Sequence, residues 1–334
     1  MPDALKLEDS VFFAWTRVSR RSEQLSRHFG TNYKRYNRWG TSSFTLSISL
    51  VFNFFRTLTW VVLNRPSIIF TFNAHPFVTI SAKIGTWITM KGEVIPDLHT
   101  AAYTDHFSGI SGFLGRWIWK RCPVVLVHNK ESGEFLENKI PELINRLFVL
   151  EDALPDFQKK HQINKTSGLA CVLISRFAPD EPIREFLNAV SGIEDCQFYI
   201  TGNDKKAIFD LFNYSGKNIT FTGFVSESDY IDLLSSADFL SILTTRDLTL
   251  LSGGYEALAL EKPVILSKTE TLQNYFSDSA IYTNNTVNEI QDSVRTMIQE
   301  LKDRAIKIQS LKKEKTEEWS EKAEKLVSIL NSLK

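Results

Sequence analysis

The chain has 334 residues, is 43% apolar and 23% charged, and carries 39 Lys and Arg against 39 Asp and Glu. This ordinary globular composition excludes a disordered tail, a collagen-like fibre and a disulfide scaffold, and the length predicts about two domains, each able to bury a core without staples. The zero net charge hides an asymmetry: residues 1–151 hold 18 Lys and Arg against 12 Asp and Glu, a balance of +6 that the remainder cancels, so the N-terminal half is the side expected to face anions.

The first residues, Met1 through Lys6, contain no apolar stretch, so no secretory leader is expected and a cytoplasmic location follows. Short β-branched or aromatic runs then alternate with helical stretches. Strands are predicted at 11–15, 67–72, 93–95 and 123–127, with helices at 19–29 and 76–89. The window 44–63 is about long enough to span a bilayer but carries Asn53, Arg56 and several Ser and Thr; it reads as a helix buried in the protein or lying against an apolar surface. Residues 151–165 combine Pro, charge and little periodicity and mark a boundary. Beyond it the alternation resumes, with strands at 168–175, 197–201, 218–221, 238–243 and 263–266 and helices at 182–190, 227–236 and 252–260. The tail from Asp303 is rich in Lys and Glu, yet Trp319, Ala323, Leu326, Val327, Leu330 and Leu333 keep one helical face apolar, so that helix docks. Alternating strands and helices predict an α/β protein with two doubly wound parallel sheets. Cys122, Cys171 and Cys196 sit in apolar runs and read as reduced core thiols.

The richest stretch for chemistry is 238–268. A strand ends in the polar loop Thr244-Thr245-Arg246-Asp247, Ser252-Gly253-Gly254 opens a helix, and Glu256 sits in its first turns. Small residues at a helix N-terminus let backbone N–H groups approach an anion, and a carboxylate one turn further in can accept from a ribose diol; a helix cap with an incidental glutamate is the other reading.

The run 253–265, GGYEALALEKPVI, resembles the EA-x-A-x-G-K-P-V-[IV] segment of glycosyltransferases of the GT-B fold, especially glycosyltransferase family 4 and its relatives in group 1. Further matches follow in order at 174–181, 200–202, 219–225 and 233–238. The resemblance implies two Rossmann-like domains facing a cleft: residues 1–151 binding the acceptor, a linker at 152–167, residues 168–310 binding a nucleotide-sugar, and a helix at 311–334 packing back on the first domain. It also implies a donor site of Arg176, Gly253, Gly254, Tyr255, Glu256 and Lys268, with Glu256 on the ribose and the glycines near the diphosphate. Two positions depart from the family pattern. Leu248 stands where a Glu precedes the ribose-binding Glu, and Glu181 where a Lys holds donor phosphate, as in a side branch that includes bacterial exopolysaccharide enzymes of the xanthan glucuronosyltransferase type. A carboxylate at 181 would repel a diphosphate unless turned away. Lys268, after a strand, is the expected replacement, or else a solvated loop lysine.

In the first half Arg17, Arg20 and Arg21 follow the first strand and enter a helix, which makes them candidates for donor phosphate or a phosphate-bearing acceptor. A proton acceptor is sought in the loop expected after 93–95, with Asp97 as first choice, Asp105 as alternative, and His99 as a leaving-group contact; Asp97 as a turn or helix cap is the competing reading. Phe113, Trp117 and Trp119 lie near Arg116, Lys120 and Arg121, a composition suited to a membrane interface or to ordinary core packing. There is no D-x-D, no metal-ligand spacing, no Walker A and no G-x-S-x-G, so no metal or other cofactor is expected.

The expected function is transfer of a sugar from a nucleotide-sugar, with UDP the favoured nucleotide, to a saccharide or lipid-linked saccharide in glycan biosynthesis. The expected partners are donor, acceptor and an anionic membrane touched peripherally, with no nucleic acid. A sugar-nucleotide epimerase on the same fold and a catalytically silent partner subunit are the alternatives.

Overall fold

The computed structural model describes residues 6–40, 42–104, 107–157, 168–207, 209–214 and 218–334. The chain divides into two compact units, residues 1–153 with 318–334, and residues 154–317. The first is built from β1 (Ser10–Ala14), α1 (Arg20–Phe29), β2 (Asn32–Arg35), α2 (Ser43–Asn64), β3 (Ile68–Asn73), α3 (Phe77–Thr89), β4 (Glu93–Leu98), α4 (Gly109–Trp119), β5 (Val125–Val127), α5 (Lys130–Lys139) and β6 (Leu147–Val149). The second contains β7 (Leu169–Leu173), α6 (Ile183–Val190), β8 (Cys196–Thr201), β9 (Ile219–Gly223), α7 (Glu227–Ser236), β10 (Phe239–Ile242), α8 (Ser252–Ala259), β11 (Val264–Ser267), α9 (Glu270–Phe276), β12 (Ala280–Thr283) and α10 (Val287–Asn331), whose last turns belong to the first unit.

Each unit holds a six-stranded sheet, ordered β2-β1-β3-β4-β5-β6 in one and β12-β11-β10-β7-β8-β9 in the other. All these pairings are parallel, as the alternation predicts. Parallel sheets are covered on both faces, which is why the inner strands read as unbroken apolar runs such as Val11-Phe12-Phe13-Ala14. In the first unit α1 and the end of α10 share one face: Leu25, Phe29, Ala323, Leu326 and Leu330 pack with Phe12, Phe70 and Ile95. The apolar stripe predicted for the tail is thus buried. The Trp319 indole donates to the Glu151 carbonyl at 3.0 Å, and Lys322 meets the Glu151 carboxylate at 2.7 Å. In the second unit α6 and the start of α10 cover one face and α8 and α9 the other.

The order of strands decides where loops gather. From β1 the chain steps to β2 on one side and returns to β3 on the other, so a crevice opens at the carboxyl ends of β1 and β3; by the same logic the second sheet opens between β7 and β10.

Several strands start or stop one or two residues from their predicted ends, and β4 departs furthest. β4 continues through Pro96 to Leu98, with Asp97 paired to Phe72 on one side and Leu126 on the other. Pro96 reads as a break because it lacks an N–H, but β5 joins β4 only at Asp97, so little ladder is interrupted. Asp97 therefore lies in the sheet, not in a loop.

Leu330→Ala is expected to cost about 2–5 kcal/mol, the usual penalty for emptying a buried leucine site. An unchanged denaturation midpoint of the full chain would remove the end of α10 from this core.

Candidate functional site

The carboxyl end of the second sheet brings most of the expected donor residues to one set of loops. After β7 the backbone turns at residues 174–182, and Glu181 closes that turn on itself. Its Oε2 accepts from the Ser175 hydroxyl at 3.0 Å and from the Arg176 and Ala178 amides at 2.9 and 3.1 Å. The carboxylate at the family's lysine position is thus turned inward, its charge met by local N–H donors and not presented to an anion. Arg176 is left mostly exposed, only loosely paired with Glu181 at 3.7 Å. Gly202, after β8, has φ +107° and passes so close to the first loop that a Cβ would lie 2.4 Å from the Ser175 carbonyl oxygen.

After β10 the loop 243–251 is stapled to the loop after β7. Thr244 Oγ1 donates to Asp180 Oδ2 at 3.0 Å, the Thr245 amide donates to the Asp180 carbonyl at 2.8 Å, and the Arg246 guanidinium stands 3.4 Å from Asp180 Oδ1 with its side chain largely exposed. Leu248 follows in the left-handed region at φ +58°. Leu251 leads into α8 without a side-chain cap, so the first amides of α8 are not occupied by a side-chain acceptor. Gly253 and Gly254 are buried in that first turn. A Cβ on Gly253 would meet Ile242 at 3.0 Å, and one on Gly254 would meet Phe276 at 3.0 Å, so their smallness lets the helix start sit tightly against its own unit. Tyr255 is buried, ring edge against Tyr275 at 5.5 Å between centroids.

Glu256 is 4% exposed, and the Tyr230 hydroxyl of α7 donates to its Oε2 at 2.6 Å, fixing the carboxylate's orientation. Lys268, directly after β11, is exposed. Tyr230, Asp180 and Arg246 escaped the sequence reading. Tyr230 sits 26 residues from its partner, and Arg246 was visible only as one polar residue of a loop.

The first unit corrects two expectations. Arg21 does not face solvent. Its guanidinium is buried and donates to Asp97 Oδ1 at 2.8 and 2.9 Å, to Asp152 at 2.7 Å and to the Leu150 carbonyl at 2.8 Å, so no donor face is offered to a phosphate. Asp97, its partner, is fully buried. Burial acts to raise its pKa, but Arg21 and then His128, whose Nε2 is 3.6 Å away, outweigh that and hold the carboxyl well below the usual carboxylate range. A carboxylate so stabilised does not take a proton, so Asp97 is a structural anchor and not the base. Asp105 lies outside the described residues.

Arg17 and Arg20 are exposed at the carboxyl end of β1. Ser19 between them caps α1, its Oγ accepting from the Ser22 amide at 3.3 Å. His99 is exposed just beyond β4, and its Nδ1 accepts from the Ala101 amide at 3.2 Å. In the neutral ring that assigns the proton to Nε2.

A third correction concerns Trp119, which is buried. With the Asn73 amide oriented to satisfy its neighbours, the Trp119 indole donates to the Asn73 oxygen at 2.8 Å. Trp117 is half-buried between Trp87, edge to face at 6.1 Å, and Arg121, 4.3 Å over its ring; Phe113 is exposed. The three cysteines are buried, and burial pushes the Cys122 and Cys196 thiols up to about 12, as inert core thiols require. A pocket of about 420 Å³ lined by Asp9, Asn32, Trp60 and Asn64 opens at the amino ends of β1 and β2, the wrong end of a doubly wound sheet for chemistry. Among the described residues no group of three His, Cys, Asp or Glu is placed to hold a metal.

Residues 169–300, within the second unit, match the family model of glycosyl transferases group 1. No curated protein matches the chain significantly. Among solved structures, the sucrose-phosphate synthase of Thermosynechococcus elongatus superposes with TM-score 0.74 at 11% identity, covering 97% of this chain and 98% of that one. HepE of Anabaena, solved in complex with UDP-glucose, gives TM-score 0.71 at 12% identity over 97% of this chain and 99% of that one. A glycosyltransferase of Rickettsia africae gives 0.65 at 12% identity, with 97% and 98% covered. The fold is GT-B.

Asp97→Asn is expected to destabilise the first unit by about 3–5 kcal/mol, because Arg21 would stay buried without its full countercharge. The depressed Asp97 pKa also has a pH signature. Its contribution is present above the unfolded carboxyl value of about 3.9 and is lost as pH falls further toward the folded value. Thermal melts below about pH 4 should therefore drop more steeply for wild type than for Asp97→Asn; parallel curves would sink the assignment.

Proposed function

We propose that the protein transfers a sugar from a nucleotide-sugar, with UDP as the nucleotide, to a hydroxyl of a saccharide or lipid-linked saccharide. The observation that carries this is the carboxyl end of the second sheet, where Glu256 is oriented by Tyr230 beside an uncapped helix start within the group 1 glycosyltransferase domain. The solved structure of HepE with UDP-glucose supports a UDP-sugar for this chain by analogy of fold.

In this reading the second unit binds the donor and the first unit the acceptor. Glu256 accepts from the ribose diol, and the amides at the start of α8 meet the diphosphate together with exposed cations. Leaving-group departure is favoured because those donors are in place before charge develops on the diphosphate. With Glu181 folded into its own loop, Arg176, Lys268 and Arg246 carry the positive charge that a lysine supplies in the family pattern. His99 Nε2–H serves as a leaving-group contact, Asp105 stays as the proton acceptor for the incoming hydroxyl, and Arg17 and Arg20 serve a phosphate-bearing acceptor. Glu181 and Leu248 also support a place beside the exopolysaccharide branch of the family. The protein works in the cytoplasm, in peripheral contact with an anionic membrane.

Thermal shift with UDP, UDP-glucose and uridine tests the reading, since a ligand of the folded state stabilises by about 2.7 kcal/mol at a hundred times its Kd. UDP and UDP-glucose should raise the melting temperature. Glu256→Ala should weaken UDP and uridine alike by about 10- to 100-fold, as loss of a charged hydrogen bond does. Arg246→Ala should weaken UDP and leave uridine unchanged. No response of the wild type to any of the three would overturn the donor assignment.

A further inference from the structure

Helix α2 is built inside out. Ser49, Asn53 and Thr57, each at most 1% exposed, lie on its inward face, where the Trp39 amide donates to Ser49 Oγ at 3.1 Å and the Trp15 indole to Thr57 Oγ1 at 3.1 Å. The opposite stripe, at i, i+4, i+7, i+8 and i+11, is Phe44, Ile48, Val51, Phe52 and Phe55, with Phe44 74%, Phe52 55% and Phe55 58% exposed. A helix on a water-facing surface has the reverse arrangement, and a stripe of this size left open is the mark of a surface that is covered in use. It does not stand alone. α2 packs along α3, which exposes Trp87 and Ile88, and Trp87 meets Trp117 of α4, where Phe113 is exposed.

Charge says what covers it. Between Glu23 and Glu93 the sequence contains no acidic residue and eight Lys or Arg; residues 107–121, which include α4, contain three more and again no acid. Arg65 is exposed at the end of α2, Arg56 lies 3.9 Å over the Tyr36 ring, and Arg121 covers Trp117. Guanidinium groups held over aromatic rings beside an apolar stripe match a layer with anionic headgroups above acyl chains.

Residues Phe44–Asn64 pass by length and composition for a membrane-spanning helix, but the topology forbids it. The strands at its two ends, β2 and β3, both pair with β1 in one sheet, so both ends lie on the same side of any bilayer. The helix can only lie in the plane.

We propose that the α2–α3–α4 face of the first unit docks on an anionic lipid bilayer, with α2 flat in the interface, its phenylalanines in the acyl boundary and the flanking Arg and Lys at the headgroups. This names the surface for the membrane contact of the function proposed above, and it rests on that reading for the lipid-linked nature of the acceptor.

The test is flotation of the full chain with vesicles of phosphatidylcholine and phosphatidylglycerol in equal parts, against phosphatidylcholine alone. Wild type should float with the anionic vesicles, and more weakly with the neutral ones. Phe52→Ser with Phe55→Ser should lose about tenfold or more of that binding while keeping the wild-type melting temperature and UDP response. If that pair lowers the melting temperature, Phe44→Ser with Val51→Ser reports on the same stripe. Absence of wild-type flotation overturns the proposal, as does flotation undiminished by both double variants. A solution dimer that the variants dissociate, without vesicle binding, overturns it in favour of a second copy on this face. Flotation with no UDP response in wild type supports the docking face while the transferase reading fails.

Discussion

Parallel pairing is the constraint from which the rest of this molecule follows. Because every strand pairing in both sheets is parallel, each connection within a sheet must cross a face of it, and the loops that leave the strands collect at their carboxyl ends. One reversal of strand order per sheet then parts two neighbouring loops. In the second unit the parted loops are 174–182 and 243–251, and Asp180 stitches them together through Thr244, Thr245 and Arg246. The same constraint acts on α2, whose ends are tied to two strands flanking β1. What places the loops 174–182 and 243–251 also keeps the most apolar helix out of a spanning orientation.

The two crevices handle charge in opposite ways. In the first unit Arg21 is consumed by structure, joining the start of α1, the carboxyl end of β4 and the segment after β6 through Asp97, Asp152 and Leu150. A guanidinium without those partners would be costly at this depth, so the three elements are held in one arrangement. In the second unit it is the carboxylates that are consumed. Glu181 satisfies backbone amides and the Asp180 carboxylate accepts from the Thr244 hydroxyl, while Arg176, Arg246 and Lys268 are exposed. A surplus of exposed cations beside an uncapped helix start favours an anion there, although the family's lysine is absent.

Much of the fold was legible because both faces of parallel strands are apolar. β1, β3, β7, β10 and β11 stand out as short aliphatic or aromatic runs, and α1 and α7 carry Ser caps at positions 19 and 226. β2, Asn32–Arg35, was hidden because an edge strand need not be apolar, and its sequence Asn-Tyr-Lys-Arg has no pattern to read. The loops 174–182 and 243–251 were legible from the order of several motifs, since each lies directly after a strand. The first-unit site was not. Arg17, Arg20 and Arg21 look alike in sequence, yet Arg21 alone is buried, because one helical position separates a side chain facing solvent from one facing Asp97, 76 residues away. Trp117 and Trp119 divide in the same way, since residues two apart on a helix lie on different faces and only Trp119 reaches Asn73.

The inverted helix shows why composition alone could not place 44–63. Turning α2 half a revolution would bury its phenylalanines and expose Ser49, Asn53 and Thr57, the arrangement that water alone would favour. That rotation would strip the Trp15 indole and the Trp39 amide of their acceptors. Such donors cost about 1–3 kcal/mol each when left buried and unpaired. The inward polar stripe is itself imperfect, since the Asn53 amide nitrogen is buried without a partner among the described residues. In water the apolar stripe outside works against those inward hydrogen bonds. The arrangement becomes favourable when the outer stripe meets hydrocarbon, because the apolar area is then removed from water while the inward hydrogen bonds are kept. For an enzyme whose acceptor is carried on lipid, such a face would also hold the acceptor-binding unit at the surface where that acceptor resides.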